Sequence, residues 1–534
     1  MPSWLSKAVF YEIYPQSFYD SNDDGIGDIP GIIEKLDYIK SLGFNAIWIN
    51  PCFESPFDDA GYDVSDYYKV ADRYGTNADL KKLFKEAHKL DIKVCLDLVP
   101  GHTSMEHAWF KESAKAQKNE YTNRYVWTDN VWDQDTGGMT GINGFGNRNG
   151  RYITNFFYTQ PALNYGFAKP EKNKPWQLPV DHPDSIATRE ELKNIMSFWL
   201  DMGADGFRVD MASSLVKNDP GWKETSKLWQ NIRQSLSEKY PEAVLISEWG
   251  SPAAAVKAGF HIDFMLHFHD PAYTALLRQE PVRDCFGVGT DPGNSIFDAE
   301  GKGNVSVFMD SFMSHYKSLR KKGYISIPSG NHDISRLNTE RSLEELKVAM
   351  TFILTQPGVP FIYYGDEIGM RYIPGLDSKE GGYGRTGSRT PMQWSGKKNK
   401  GFSNAPASEL YLPVDKDRSA PTVTSCMRDK DSLLHTVKQL IELRNSSEAL
   451  SADGGFTPLF AKKKKYPLVY MRNKGREKFI VALNPTKNET SASFDIIGKG
   501  DTEPVFVEGV EIKAAGKKMR LKMQPFSYGI FSLV

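Results

Sequence analysis

The sequence predicts an α/β protein: a (β/α)8 TIM barrel with an inserted subdomain after the third strand and a C-terminal antiparallel β domain. Three observations carry that prediction. Eight short apolar runs recur along the chain, helix-like segments lie between several of them, and beyond residue 455 the pattern changes to short alternating strands. Near-continuous apolarity suits strands buried on both faces, and alternation of strand with helix is the mark of a parallel sheet.

The eight runs are residues 9–14, 46–50, 93–99, 206–210, 244–248, 262–266, 324–328 and 359–364. Amphipathic helical patterns occupy 29–42, 77–90 and 189–202. Two intervals break the rhythm. Residues 103–176 are rich in Asn, Gly, Thr and aromatics with little helical period, and are too long for an ordinary loop. After a helix at 433–450, strands at 467–471, 478–483 and 529–534 alternate with Gly, Lys and Asn turns. The barrel is therefore assigned to 1–102 and 177–455, the insertion to 103–176 and the β domain to 456–534.

With 534 residues, 40% apolar and 25% charged, the chain can bury a sizeable core. Its 66 basic and 67 acidic residues leave a net charge of −1, so no positive field gathers nucleic acid. The single basic run, Lys462 to Lys465, reads as a solvated loop. No run reaches the length of a membrane helix, and the N-terminal segment lacks the pattern of a signal peptide. Cys52, Cys95, Cys285 and Cys426 show no metal or disulfide spacing, so inert buried thiols and a cytoplasmic location are expected.

In such a barrel the reactive side chains sit at the C-terminal ends of the strands. Those ends supply Asp97 and His102 (DLVPGH), Arg208 and Asp210 (GFRVD), Glu248 (LISEW), and His332 and Asp333 (PSGNHD). Any one could be a surface ion pair; several at matching points of different strands are a constellation. No cysteine, activated serine or glycine-rich phosphate loop accompanies them. Two carboxylates flanking one bond can cleave an acetal, one as nucleophile and one as proton donor. Arg208 would keep Asp210 ionised, while acidic neighbours and partial burial would raise the pKa of Glu248. Glycoside hydrolysis or transfer is the chemistry this set predicts.

A separate loop, DSNDDGIGD, places Asp20, Asn22, Asp24 and Asp28 at calcium-loop spacing, with Gly25 for the turn and the carbonyl of Ile26 as a further ligand. Gly31 stands where an EF-hand has its bidentate glutamate, so this is not an EF-hand. The alternative is a polar turn that caps the following helix.

The order and content of VFYEIYPQSF (9–18), AIWINP (46–51), GYDVSDYY (61–68), GFRVD, ISEW, GNHD, GVPFIYYGDEIGM (358–370) and RTPMQW (389–394) resemble the α-amylase superfamily of glycoside hydrolases, family thirteen. Within it the chain is most similar to the α-glucosidase and oligo-1,6-glucosidase group. The resemblance implies a retaining enzyme with Asp210 as nucleophile, Glu248 as acid and base, and Asp333 as the carboxylate binding the 2- and 3-hydroxyls. It implies that His102, Arg208 and His332 bond the same glucose or the nucleophile, and that Tyr62 is an aromatic platform beneath it. Asp59 and Arg389 match a pair that grips the 4-hydroxyl of a terminal glucose, which implies exo-action on a small oligosaccharide or disaccharide. A structural Ca2+ or Mg2+ in the 20–28 loop is implied as well.

The sequence departs from the family in places. Gly101 precedes His102 where Asn is usual, QPALN (160–164) lacks the usual carboxylate, and Met211 follows the nucleophile. A glucosyl transferase or isomerase, of the trehalose synthase or sucrose isomerase kind, shares every implied catalytic residue and is the alternative. The segment after Asp333 is only modestly charged, without the arginine-rich loop of such isomerases.

Overall fold

The computed structural model describes residues 1–266, 270–277, 295–319, 322–496, 501–516 and 518–533. Its central sheet has eight parallel strands: β1 Phe10–Ile13, β2 Ala46–Ile49, β3 Lys93–Leu98, β4 Gly206–Val209, β5 Val244–Ser247, β6 Ile262–Phe264, β7 Tyr324–Ser326 and β8 Phe361–Tyr363. Each falls inside one of the predicted runs. Neighbours follow in sequence from β1 to β7, and β8 returns to pair with β1. No ladder joins β7 to β8 among the described residues. That seam is closed by the N–H of Val359 donating to the Ile325 carbonyl (3.3 Å) and that of Ser329 to Phe361 (3.0 Å).

Strand period two then sorts the side chains. Phe10 stacks on Phe361 at 4.3 Å, Phe361 meets Phe264 at 4.8 Å, and Phe264 meets Trp48 at 5.6 Å. These rings fill the barrel interior. Above them β1 and β2 set Glu12 opposite Trp48, and β3 and β4 set Asp97 opposite Arg208. A charged layer thus rests on an aromatic one.

The helix Asn77–Lys89 opens with a Thr76–Asp79 capping box and buries Leu80, Leu83, Phe84 and Ala87 along one face. The segment predicted as one helix at 29–42 is two, Ile29–Glu34 and Leu36–Ser41, broken at Lys35, whose ammonium lies 3.5 Å from the Tyr19 ring centroid. The helix predicted from 189 begins earlier, at Pro183. Proline suits a first helical position, and the His182 ring accepts from the Asp184 N–H.

Residues 103–176 form a short helix, Ala108–Ser113, a hairpin of Gly141–Ile142 with Tyr152–Ile153, and a small core of Val126, Ile153, Ala162, Phe167 and Trp176. Backbone bridges from His102 to Ala162 and from Tyr125 to Leu163 bind the segment together and tie it to the end of β3.

The C-terminal sheet is antiparallel: β9 Gly455–Phe460, β10 Leu468–Lys474, β11 Glu477–Asn484, β12 Thr490–Asp495, β13 Thr502–Ala515 and β14 Lys518–Leu533. The strand predicted at 529–534 is only the end of β14, whose alternation of Met519, Leu521 and Met523 with charged residues marks its buried face. Tyr470, Val481 and Ile530 join the barrel core, while Val469, Ile480, Leu521 and Phe531 form a second core on the other face. Two buried arginines meet at this boundary, Arg444 from the barrel helix Leu433–Ser446 and Arg472 from the sheet, and only Arg472 ties the sheet to the barrel. Arg444 donates to the carbonyls of Leu354, Gln356 and Gly358, and Arg472 to that of Thr355, where the helix Leu343–Thr355 ends. Cations are favoured at a helix C-terminus, where carbonyls lack partners. Cys52, Cys95 and Cys426 are free and buried; Cys285 lies outside the described residues.

Candidate active site

The predicted strand ends meet above the charged layer, and Arg208 is their centre. It is 1% exposed and faces three carboxylates: Nη1 lies 2.9 Å from Asp97 and 3.1 Å from Asp210, and Nη2 lies 3.0 Å from Glu248. Asp210 and Glu248, from neighbouring strands β4 and β5, therefore occupy the two arms of one guanidinium. Glu248 Oε2 also accepts from the Met211 N–H at 3.1 Å. Trp48 and Tyr62 both donate to Asp97 Oδ2, at 3.1 and 3.0 Å.

Burial and the facing charge of Glu248 raise the Asp210 carboxyl well above its ordinary range, and Arg208 only partly offsets them. This corrects the expectation that the arginine alone keeps Asp210 ionised.

A second group forms at the end of β7. His332 places Nδ1 3.0 Å from Glu12 and Nε2 3.1 Å from Asp333. Carboxylates on both nitrogens make each a donor. Burial pushes the imidazole down, but Asp333 and Glu12 outweigh it and the net shift is upward. For Asp333 burial pushes up, yet His332, Arg385 and Arg389 hold it well below the usual carboxylate range. Arg385 Nη1 donates to Asp333 Oδ1 at 2.7 Å and Arg389 Nη2 to the same oxygen at 3.1 Å. Tyr62 stacks on the His332 ring, centroids 5.2 Å apart, so the predicted sugar platform is also a wall of the histidine's own pocket.

Asp59 and Arg389, the pair implied to grip a 4-hydroxyl, do not bond each other directly. Arg389 spends its Nε on the His332 carbonyl (2.8 Å) and reaches Asp333, while Arg385 is the guanidinium 3.5 Å from Asp59. Asp59 and Arg389 are both buried, at 4% and 1% exposure. Gln160 donates to Asp59 Oδ2 at 2.8 Å, leaving the buried Oδ1 without a hydrogen-bond donor. Burial raises Asp59 to about 7 despite Arg385 and Arg389.

His102 stands apart from these carboxylates. Its Nε2 lies 3.0 Å from the Tyr62 carbonyl and its Nδ1 3.2 Å from Asn155. Burial pushes it down to about 3, so it is neutral.

A family description, "Alpha amylase, catalytic domain", matches residues 12–453, the span that carries this whole network. The chain belongs to the α-amylase family. It is a glycoside hydrolase of that family. Among curated proteins it is 31% identical to the oligo-1,6-glucosidase of Heyndrickxia coagulans over 93% of this chain and 94% of that one. It is 29% identical to the oligo-1,6-glucosidase of Parageobacillus thermoglucosidasius over 99% of both. It is also 31% identical to a trehalose synthase/amylase of Mycolicibacterium smegmatis, over 84% of this chain and 77% of that one. Among solved structures the trehalulose synthase of Pseudomonas mesoacidophila superposes with a TM-score of 0.81 at 25% identity over 100% of both chains.

Several members of this α-amylase site were not found from sequence. Glu12 is an acidic residue inside an apolar run, and that signal was available. Gln160 heads the QPALN segment, but nothing in that motif points to Asp59; Arg385 and Asn155 carry no motif of their own. The predicted metal residues lie elsewhere, in the loop before the helix Ile29–Glu34. Asp20 accepts from the N–H groups of Asn22, Asp23 and Gly25, Asn22 from Asp24, and Asp24 from Ile26. Asp28 caps the helix through Gly31 and also accepts from Ser21. These oxygens are spent on the loop's own donors. No group of three or more His, Cys, Asp or Glu side chains among the described residues is placed to hold a metal ion. In this arrangement the loop's side-chain oxygens accept its own N–H groups, and no chemistry is routed through a cation.

Proposed function

We propose that this α-amylase family member is a retaining, exo-acting α-glucosidase that removes terminal α-linked glucose from short α-glucosides. One observation carries the reading. Asp210 and Glu248 share Arg208 on one side of the site, and Asp59, Arg385, Asp333 and Arg389 close the other into a buried polar end. A closed end admits one sugar before the scissile bond. The free Oδ1 of Asp59 and the partly exposed Asp333 are acceptors facing that sugar's hydroxyls.

In the first half-reaction Asp210 attacks the anomeric carbon as the C–O bond to the leaving group breaks. A proton passes from Glu248, as general acid, to the leaving oxygen. For this, Oε1 of Glu248 must exchange Arg208 for the glycosidic oxygen, which leaves Arg208 to stabilise ionised Asp210 and Asp97. In the second, Glu248 takes a proton from water as that water displaces Asp210, and two inversions restore the α configuration. Arg389, Arg385 and His332 keep Asp333 charged for the ring hydroxyls, where interactions that strengthen in the transition state count most.

A specific observation favours a second reading, a glucosyl isomerase. The neighbour from Pseudomonas mesoacidophila is a trehalulose synthase, and a variant of that synthase was solved with its substrate sucrose. Maltose, isomaltose, sucrose, trehalose and maltotriose, each followed by time-resolved product identification, decide between them. Release of free α-glucose supports the glucosidase, and an isomeric disaccharide the alternative. The oligo-1,6-glucosidase relatives place isomaltose first in that panel.

We also propose a structural Ca2+, or Mg2+, for the 20–28 loop, because its donors are all oxygen. Binding would require the carboxylates to give up backbone amides. A rise in Tm with added Ca2+, abolished by Asp20→Ala, is expected. A cytoplasmic location is supported by free thiols at Cys52, Cys95 and Cys426; no helix among the described residues is long and apolar enough to cross a membrane.

A further inference from the structure

Position 101, the site of the glycine departure, is not empty space. A Cβ there would lie 2.5 Å from Asn155 Nδ2 and 3.2 Å from Ser214 Oγ. The amide of Asn155, reaching in from the inserted segment, fills the place a side chain at 101 would take. Glycine at 101 is the condition for that approach.

The contacts of this amide settle the chemistry of its neighbours. Lys217 Nζ lies 2.9 Å from Asn155 Oδ1, and an ammonium can only donate. Oδ1 is therefore the atom facing Lys217, which turns the NH2 of Asn155 toward His102 Nδ1 (3.2 Å) and Ser214 Oγ (3.2 Å). His102 Nδ1 must then be the acceptor, and the ring's proton sits on Nε2. The far side agrees, because Nε2 faces the Tyr62 carbonyl at 3.0 Å, which can only accept. Donor and acceptor roles are fixed from both ends of the relay Lys217, Asn155, His102, Tyr62.

We infer that Asn155 is a positioning residue: the inserted segment supplies, across the chain, the amide that holds His102 in its neutral, Nε2-protonated form beside the sugar site. Ser214 and Met211, whose sulfur lies 3.8 Å from Asn155 Nδ2, complete the same wall directly after Asp210. The inserted segment is by this account part of the catalytic apparatus and not only its rim. The catalytic side of the inference rests on the glucosidase reading, while the proton position on His102 does not.

The test combines nitrogen-15 NMR of the His102 ring with steady-state kinetics on isomaltose and maltose. In the full-length protein Nδ1 is expected to resonate as an unprotonated nitrogen and Nε2 as a protonated one. Asn155→Asp keeps the size and the Lys217 contact but turns the donor into an acceptor. It is expected to move the proton to Nδ1 and lower kcat roughly tenfold, with Tm held. Asn155→Ala is expected to lower kcat by a similar factor. Gly101→Asn combined with Asn155→Ala, which returns an amide to that space from the adjacent position, is expected to recover most of the loss, a rescue that mere removal of a packing contact does not explain. Nδ1 found protonated in the unaltered protein overturns the inference, as does wild-type kcat in both Asn155 variants. So does a double variant no more active than Asn155→Ala. Lack of glucosidase activity in the unaltered protein overturns the functional reading instead and leaves the NMR result to stand by itself.

Discussion

Two histidines flank the site, and the same side chain does opposite things. His332 sits between Glu12 and Asp333, and these carboxylates raise the pKa of its ring. His102, capped by an amide and a carbonyl, is neutral. Both are buried, so burial does not distinguish them; the sign of their partners does. Around His332 the site is ionic, with two arginines on one carboxylate oxygen. Around His102 it is a relay of neutral dipoles ending at Lys217. The ionic side suits a hydroxyl-rich ring that must be gripped without error.

The largest effect is expected where the two sides meet. Asp210→Asn or Glu248→Gln should lower kcat by roughly 10³ or more with the fold intact, measured as initial glucose release. Wild-type turnover in Asp210→Asn would remove it as nucleophile. Next comes the ionic side. Arg385→Met leaves Asp59 and part of Asp333 without a cation, and kcat/KM on maltose should fall by about 10–100-fold, chiefly through KM. An equal loss in Arg389→Met with none in Arg385→Met would restore the partner predicted from sequence.

Glu12→Gln is the sharper probe of His332. Removing the buried carboxylate lowers the imidazole's pKa, so the alkaline limb of the kcat/KM profile should move to lower pH, with a smaller loss, roughly tenfold, at the optimum. An unmoved limb would mean that Asp333 alone charges the ring. The smallest effect is on stability. His102 has a folded pKa of about 3, below an unfolded value near 6.5, so between those limits the unfolded chain binds the extra proton. Stability from this group is present above ~6.5 and is lost as pH falls toward 3, by up to ~1.4 kcal/mol per pH unit. His332, with its pKa raised, contributes below ~6.5 and loses that contribution as pH rises through its folded value. His102→Gln should flatten the acid side of a Tm profile and His332→Gln the alkaline side.

The barrel was legible because buried parallel strands leave a local record. All eight apolar runs contain a strand; Asp210 and Glu248 follow theirs directly and His332 and Asp333 lie in the segment after β7, so their convergence could be read from position. Arg385, Gln160 and Asn155 could not, since each acts across more than 50 residues from an irregular segment whose course no period announces. The choice of Arg385 over Arg389 for Asp59 is of this kind: Arg385 lies in a short turn, Tyr383–Ser388, and Arg389 just after it, and only the path in space decides which reaches. The long β14 had a signal, strict alternation from Lys518 to Met523, but charged residues at every second place disguised it as a turn region.

The seam between β7 and β8 gives the barrel a mechanical asymmetry. Seven of its junctions are ladders, and this one hangs on isolated amide contacts at Val359 and Ser329. Amide protons of β7 and β8 should therefore exchange with deuterium earliest among the barrel strands. Asp333 lies in the segment that follows β7, so the stave expected to exchange first leads to the carboxylate proposed to bind the sugar. Arg444, clamping the Gly358 carbonyl just before β8, is the hoop that limits how far it opens.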